Sequence, residues 1–192
     1  VHPSYIDRAN FGRHSHADEL THGNLVNQVL SQLRAFDAAL AGRTPISHLK
    51  AHGALYNDAM VRSDIAAAVL DALDQFNPAK TIAVMGLPRS QMAAVTRKRG
   101  HTYMAEGFAD RAYNIDGTLV SREREGAVLT DPEQIAQRAL KMVVDGTVTT
   151  IDGKTLTISI DTLCVHSDTP GASVIAAHVR HTLVAAGIDV RA

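Results

Sequence analysis

Ile46-Ser-His-Leu-Lys50-Ala-His52-Gly53-Ala-Leu-Tyr56-Asn57 is the stretch on which the reading of this chain turns. The run from Ile46 to Leu49 leads straight into a lysine, a histidine and a glycine. In α/β proteins such a run reads as a buried strand, and catalytic groups collect at its carboxyl end. The pattern recurs. Val1-His2-Pro3 reads as the tail of another strand, and Thr162-Leu-Cys-Val-His166-Ser-Asp168 as a third strand ending in histidine with a carboxylate two residues on. Three histidines at three strand ends point to one shared site.

Working outward, strands and helices alternate. Leu20, Leu25, Val26, Val29, Leu30, Leu33, Phe36 and Leu40 are spaced largely by three and four, which predicts an amphipathic helix over residues 15–40. Residues 63–76 predict a second helix, stopped by Asn77-Pro78, and residues 81–86 a buried strand. A helix over 90–98 and a strand over 101–106 follow. Asp131-Pro132-Glu133 combines a cap, a proline at the first helical position and an acid in the first turn, so a helix starts there and runs to about residue 145. Residues 147–151 and 155–160 predict a ribbon turning at Asp152-Gly153. A strand over 162–166 and a helix over 170–186 close the chain. This alternation predicts an α/β fold with a parallel sheet or barrel, in a single domain over residues 1–192. About five core strands are visible and the first is already ending at Val1, so the expectation is a barrel incomplete at its N-terminus.

Composition narrows the function classes. The 192 residues carry 45% apolar and 20% charged side chains, as a soluble globular domain does. A formal charge of −1 gives no basic footprint for nucleic acid or an anionic membrane. No apolar run approaches the roughly 20 residues that span a bilayer. The single cysteine, Cys164, excludes an internal disulfide and fits a reducing, cytoplasmic setting. No HExxH, CxxC, GxSxG or GxxxxGK[ST] occurs, so zincin, thiol-redox, serine-hydrolase and P-loop chemistry find no support.

The residues that remain carry two readings each. Lys50 and His52 fall on the same side of an extended strand, and Tyr56 joins them as a third candidate. His52 is an acid–base group, a metal ligand or a carboxylate binder, or else a strand-end histidine bonded internally. Asp168 orients His166 or caps the next helix near Pro170. Cys164 reads as packing before nucleophile. Asp110-Arg111 offers an acid–base group and a bidentate anion clamp, or a surface ion pair. Asn114-Ile-Asp-Gly117 is a turn, and Arg122 and Arg124 a solvated face from which one arginine closes over substrate. His14 and His16 have no metal-motif spacing.

With these residues assembled, the chain resembles the LamB/YcsF family along all 192 residues. His2-Pro3-Ser4-Tyr5 and Phe11-Gly12-Arg13 resemble its His-Pro-Gly-Tyr and Phe-Gly-Arg segments. Lys50-Ala-His52-Gly-Ala-Leu-Tyr56 resembles Lys-Pro-His-Gly-Ala-Leu-Tyr, Phe108-Ala-Asp110-Arg111-Ala-Tyr113 resembles Phe-Ala-Asp-Arg-x-Tyr, and Cys164-Val-His166-Ser-Asp168 resembles Cys-Val-His-Gly-Asp. The family's upstream Asp-Leu-Asn-x-Asp and Gly-Phe-His-Ala-Gly motifs have no counterpart in this sequence. Ser4, Ala51 and Ser167 depart from the family pattern, and Ser167 would be strained if the family glycine there uses positive φ.

The resemblance implies a distorted (β/α) barrel of the glycoside hydrolase and deacetylase type. It implies ring opening of 5-oxoproline to glutamate, driven by ATP, in a cytoplasmic complex with partner subunits B and C. The implied catalytic residues are His2, His52, Asp110, His166 and Asp168; the implied substrate-binding residues are Lys50, Arg111, Tyr56 and Arg13. No metal set is assigned, and His2, His52 and His166 are the candidates if a divalent ion takes part. A homodimer is a further expectation. The competing readings are a metal-dependent amidohydrolase and a non-catalytic scaffold subunit.

Overall fold

The computed structural model describes residues 1–191, and their contacts fall into two compact units, Val1–Met104 and a second beginning at Ala105. In the first unit, helix α1 (His22–Leu40) begins where the Thr21 hydroxyl accepts the Asn24 N–H at 3.2 Å. It buries the stripe Leu25, Val26, Val29, Leu30 and Leu33. The helix expected from residue 15 starts seven residues later because the polar groups ahead of it have tertiary partners. Ser15 donates to Asp58 at 2.6 Å, and Asp18 accepts from Arg62.

Strand β1 (His48–Lys50) is parallel to β2 (Ala83–Gly86), with Leu49 opposite Val84. The segment read as a strand tail does lie along β1. Lys50 N–H donates to Val1 O at 3.0 Å and His52 N–H to Pro3 O at 2.8 Å. Between the strands run α2 (Gly53–Val61) and α3 (Ser63–Phe76), and after β2 comes α4 (Gln91–Lys98). Helix α3 packs on α1, α2 and α4. Leu33, Leu55, Val69, Leu70, Leu73 and Val84 are removed from water entirely. Each such side chain stabilises the unit by about 1.5–3 kcal/mol.

Strand β3 (Tyr103–Phe108) carries the chain into the second unit. There follow α5 (Pro132–Val144), the antiparallel ribbon β4 (Thr147–Thr149) and β5 (Thr155–Thr157), β6 (Thr162–Cys164) and α6 (Ala172–Ala185). The α5 start is as read: Asp131 accepts the Glu133 N–H at 3.1 Å, with Pro132 in the first turn. Strands β3 and β6 are parallel, pairing Glu106 with Thr162 and Phe108 with Cys164. Helices α5 and α6 pack through Ile135, Ala136, Ala139, Ile175, Val179 and Leu183 over Ala109. Parallel pairs joined through helices bear out the α/β class. Among the described residues no helix is long and apolar enough to cross a membrane.

One excursion shapes the second unit. After β3 the chain folds back through bridges Arg111↔Val128 and Tyr113↔Leu119, around the turn expected at Asn114–Gly117. Tyr113 is 1% exposed, and its hydroxyl oxygen accepts the buried Phe108 N–H at 2.7 Å. Tyr113→Phe will therefore strand a buried donor and cost about 1–3 kcal/mol in urea unfolding. A loss under about 0.5 kcal/mol would show that the bond is dispensable.

Candidate functional site

The β3–β6 register builds the strongest cluster. Phe108 lies opposite Cys164, so two residues further along each strand Asp110 meets His166. Asp110 is wholly buried. Its carboxylate accepts the His166 backbone N–H at 2.9 Å, and the His166 Nδ1 lies 2.9 and 3.1 Å from its two oxygens. The Thr169 hydroxyl reaches the same carboxylate at 3.4 Å. Burial works to raise the Asp110 pKa, but the bonds from the His166 ring and backbone outweigh it and hold the carboxyl below its usual range. An ionised carboxylate only accepts, so Nδ1 bears the imidazole proton and Nε2 keeps a lone pair. Phe108 stacks on the ring at 5.5 Å and 24°. Beside it is an open groove of about 580 Å³ lined by His166, Ser167, Thr169, Gly171 and Ser173 among others. A carboxylate-oriented imidazole beside an open groove is equipped to take and return a proton.

Asp168 does not cap α6, whose N-cap is Gly171; it pairs with Arg122 at 3.0 Å. Ser167 is absent from the positive-φ residues, so the serine is accommodated without that strain. Arg111 is 7% exposed and is turned inward, donating to Val120 O at 2.6 Å and Ala127 O at 3.3 Å. Burial and the nearby Arg122 charge lower its pKa. Its visible work is to close the excursion after β3.

The first unit brings His2 and His52 together. His2 Nε2 lies 3.1 Å from His52 Nδ1, with the rings edge-on at 4.8 Å. His2 Nδ1 meets Lys50 O at 2.6 Å, and His52 Nε2 meets Phe11 O at 3.0 Å. Arg13 places its guanidinium 5.6 Å over the Phe11 ring. Lys50 ends β1 and acts on His2 through its charge. Tyr56 is buried within α2. Among the described residues no group of three or more His, Cys, Asp or Glu side chains is arranged to hold a metal ion.

Sequence reasoning missed Asp58, which accepts from Tyr5 at 2.7 Å and from Ser15. Burial and this carboxylate push the Tyr5 phenol far up, so it stays protonated. His16, weighed in the sequence only against metal motifs, is set between Glu19 at 2.7 Å and Asp7 at 3.6 Å. Tyr5 and Asp58 are 53 residues apart, and no local spacing announces that pair.

The same site residues occur in a chain with clear relatives. A model of the LamB/YcsF family matches residues 1–192. The A subunit of the 5-oxoprolinase of Cutibacterium acnes is 43% identical over 196 residues, covering 100% of this chain and 75% of that protein. Its counterpart in Pyrococcus furiosus is 41% identical over 191 residues, covering 99% of this chain and 73% of its own. The crystal structure of the lactam utilization protein from Thermus thermophilus matches with a TM-score of 0.90 at 38% identity, over 100% of this chain and 75% of that one. That likeness supports an α/β fold consistent with the distorted barrel expected from the sequence.

Proposed function

The chain belongs to the LamB/YcsF family, and from that membership we propose that it serves as the lactam-opening A component of a 5-oxoprolinase, hydrolysing 5-oxoproline to glutamate. The observation that carries the reading is the buried Asp110 fixing His166 with Nε2 free to work. Opening a lactam needs a base to take a proton from attacking water and an acid to return it to the departing ring nitrogen. One imidazole held in one tautomer performs both steps in turn. Arg122, now paired with Asp168, is placed to exchange that partner for the substrate carboxylate. Lys50, Tyr56 and Arg13 remain substrate-binding candidates from the first unit.

A five-membered lactam is a stable amide, and ATP supplies the activation by phosphorylating its oxygen. The groove beside His166 has no lysine or arginine in its lining, and the chain has no P-loop. We propose that ATP acts within a complex that includes partner subunits B and C, in the cytoplasm. The test combines the chain with those subunits and measures glutamate from 5-oxoproline with and without ATP. ATP-dependent glutamate that disappears with His166→Ala is expected. Full turnover with His166→Ala would remove the residue from the mechanism, and a confirmed complex without turnover would end the oxoprolinase reading.

A further inference from the structure

The Asp110 carboxylate decides which nitrogen of the His166 ring carries the proton, but it aims the other nitrogen only loosely. Nδ1 lies 2.9 and 3.1 Å from the two carboxylate oxygens, so its bond is shared between them. A shared bond is soft, because the nitrogen can slide from one oxygen toward the other, one distance shortening as the other grows. The lone pair of Nε2 lies in the ring plane, so a tilt of the ring swings it by the same angle. Hydrogen bonds weaken steeply as their angle falls from above about 150° toward about 120°. A tilt of about 30° is then enough to cost a proton acceptor its alignment. The ring borders the open groove, and its side chain is 22% exposed.

Phe108 supplies a restraint of the missing kind. A Cβ added at Gly107 would meet the side chains of Ile160 and Leu163, and Leu163 packs on the core of α5 and α6. Successive strand side chains alternate between faces, so Phe108 projects to the other side, where His166 is. Its side chain is buried, and its ring lies along the imidazole with centroids 5.5 Å apart and planes 24° apart. That is an offset stack. A face laid nearly parallel to the imidazole resists tilting toward it, which bonds in the ring plane do not. The platform is itself anchored. Phe108 N–H donates to the Tyr113 hydroxyl at 2.7 Å, and Ala109 N–H to Cys164 O at 3.1 Å.

We propose that Phe108 is a positioning residue that fixes the plane of the His166 ring, so that Asp110 sets the tautomer and Phe108 sets the aim of Nε2. This rests on the reading of His166 as the proton-transferring group of lactam opening. Phe108 acts through His166 and has no need to touch substrate. The two supports fail in different ways. Without the Asp110 carboxylate the proton moves to the wrong nitrogen. Without the Phe108 ring the proton stays on Nδ1 and the imidazole swings. A base that is present but badly aimed destabilises the transition state and leaves substrate binding alone, so the loss appears in kcat and not in KM.

The test compares Phe108→Leu, which keeps an apolar side chain without a ring face, with Phe108→Tyr, which keeps the face. Turnover of 5-oxoproline is measured in the assembled complex. The His166 ring is followed by NMR relaxation of ¹³C,¹⁵N-histidine-labelled protein at one fixed pH. In Phe108→Leu kcat should fall about 10- to 100-fold with KM within about twofold, the scale on which a misplaced reacting group costs rate. The order parameter of the His166 ring should drop, while its ¹⁵N signals still place the proton on Nδ1. Phe108→Tyr should return both rate and ring order toward the wild type. Phe108→Met takes the place of Phe108→Leu if far-UV circular dichroism shows that the leucine variant does not fold. Unchanged kcat or unchanged ring order in the ringless variant would overturn the proposal. So would a folded Phe108→Tyr no faster than Phe108→Leu, or a loss of the Nδ1 tautomer, which would make Phe108 a support of the Asp110 bond alone. If the wild-type complex itself leaves the lactam closed, the oxoprolinase reading falls, and ring order still decides what Phe108 does.

Discussion

Asp110→Asn will leave a folded protein whose turnover falls by about 10²- to 10⁴-fold, the range associated with losing a correctly oriented general base. The carboxylate now accepts two N–H groups of one residue, the His166 backbone and Nδ1. An amide offers one oxygen and one NH₂ in its place. Whichever way it turns, a donor faces a donor, unless His166 moves its own proton from Nδ1 to Nε2. That shift relieves the clash but spends the lone pair that abstracts a proton. The stability loss should be about 1.5–3 kcal/mol, since a hydrogen bond to a charged acceptor is replaced by a poorer neutral one. His166→Ala should lower turnover to a similar floor, and the double variant should fall little further, because the two residues act as one unit. The wild-type pair has a pH signature as well. The Asp110 pKa is depressed on folding, so its contribution to stability is complete above the ordinary carboxylate pKa and is lost as pH falls through the lower folded value. Urea unfolding between about pH 2 and 5 should show that loss in the wild type and its absence in Asp110→Asn. Wild-type turnover in Asp110→Asn would contradict the role given to the dyad.

The elements that could be read in advance were those with local signals. Asp131-Pro132-Glu133 starts α5 through a cap, a fixed φ and an acid at the helix N-terminus, all within three residues. The strand ends bearing His52 and His166 were legible because apolar runs stop abruptly at polar groups. Helix α2 was not, because Ala54, Leu55, Tyr56, Ala59 and Met60 are buried around most of its circumference. A helix without a polar face has no 3.6-residue stripe to detect. The pairings in the site were beyond sequence reading for another reason. Asp110 and His166 stand 56 residues apart, and Arg122 and Asp168 46 apart, so only strand register and loop closure bring them together. Arg111 shows the limit of residue-type reasoning. A guanidinium suits an anion, but this one satisfies carbonyls left over by a chain reversal.

Gly53→Ala is expected to cost about 2–4 kcal/mol in urea unfolding, among the larger effects a single methyl group can have. Two separate causes add. Gly53 has φ +60, a left-handed conformation that costs a residue with a side chain about 1–2 kcal/mol. An added Cβ would also stand 2.3 Å from Gly12 O and 3.0 Å from Gly12 C. Both obstacles are backbone, so no rotamer change relieves them. The loop must retreat, and it then gives up the bond from Ala54 N–H to Gly12 O. Gly100→Ala separates the two causes. Gly100 has φ +74 but nothing within 4 Å of its would-be Cβ, so it should show the conformational cost alone. The excess at Gly53 measures the steric part. That excess should appear at the site too, because Phe11 O, the acceptor for the His52 ring, lies one residue before Gly12. Equal losses in the two variants would mean that residues 11–13 give way without cost, and the close packing of that loop on the start of α2 would then not be what holds His52 in place.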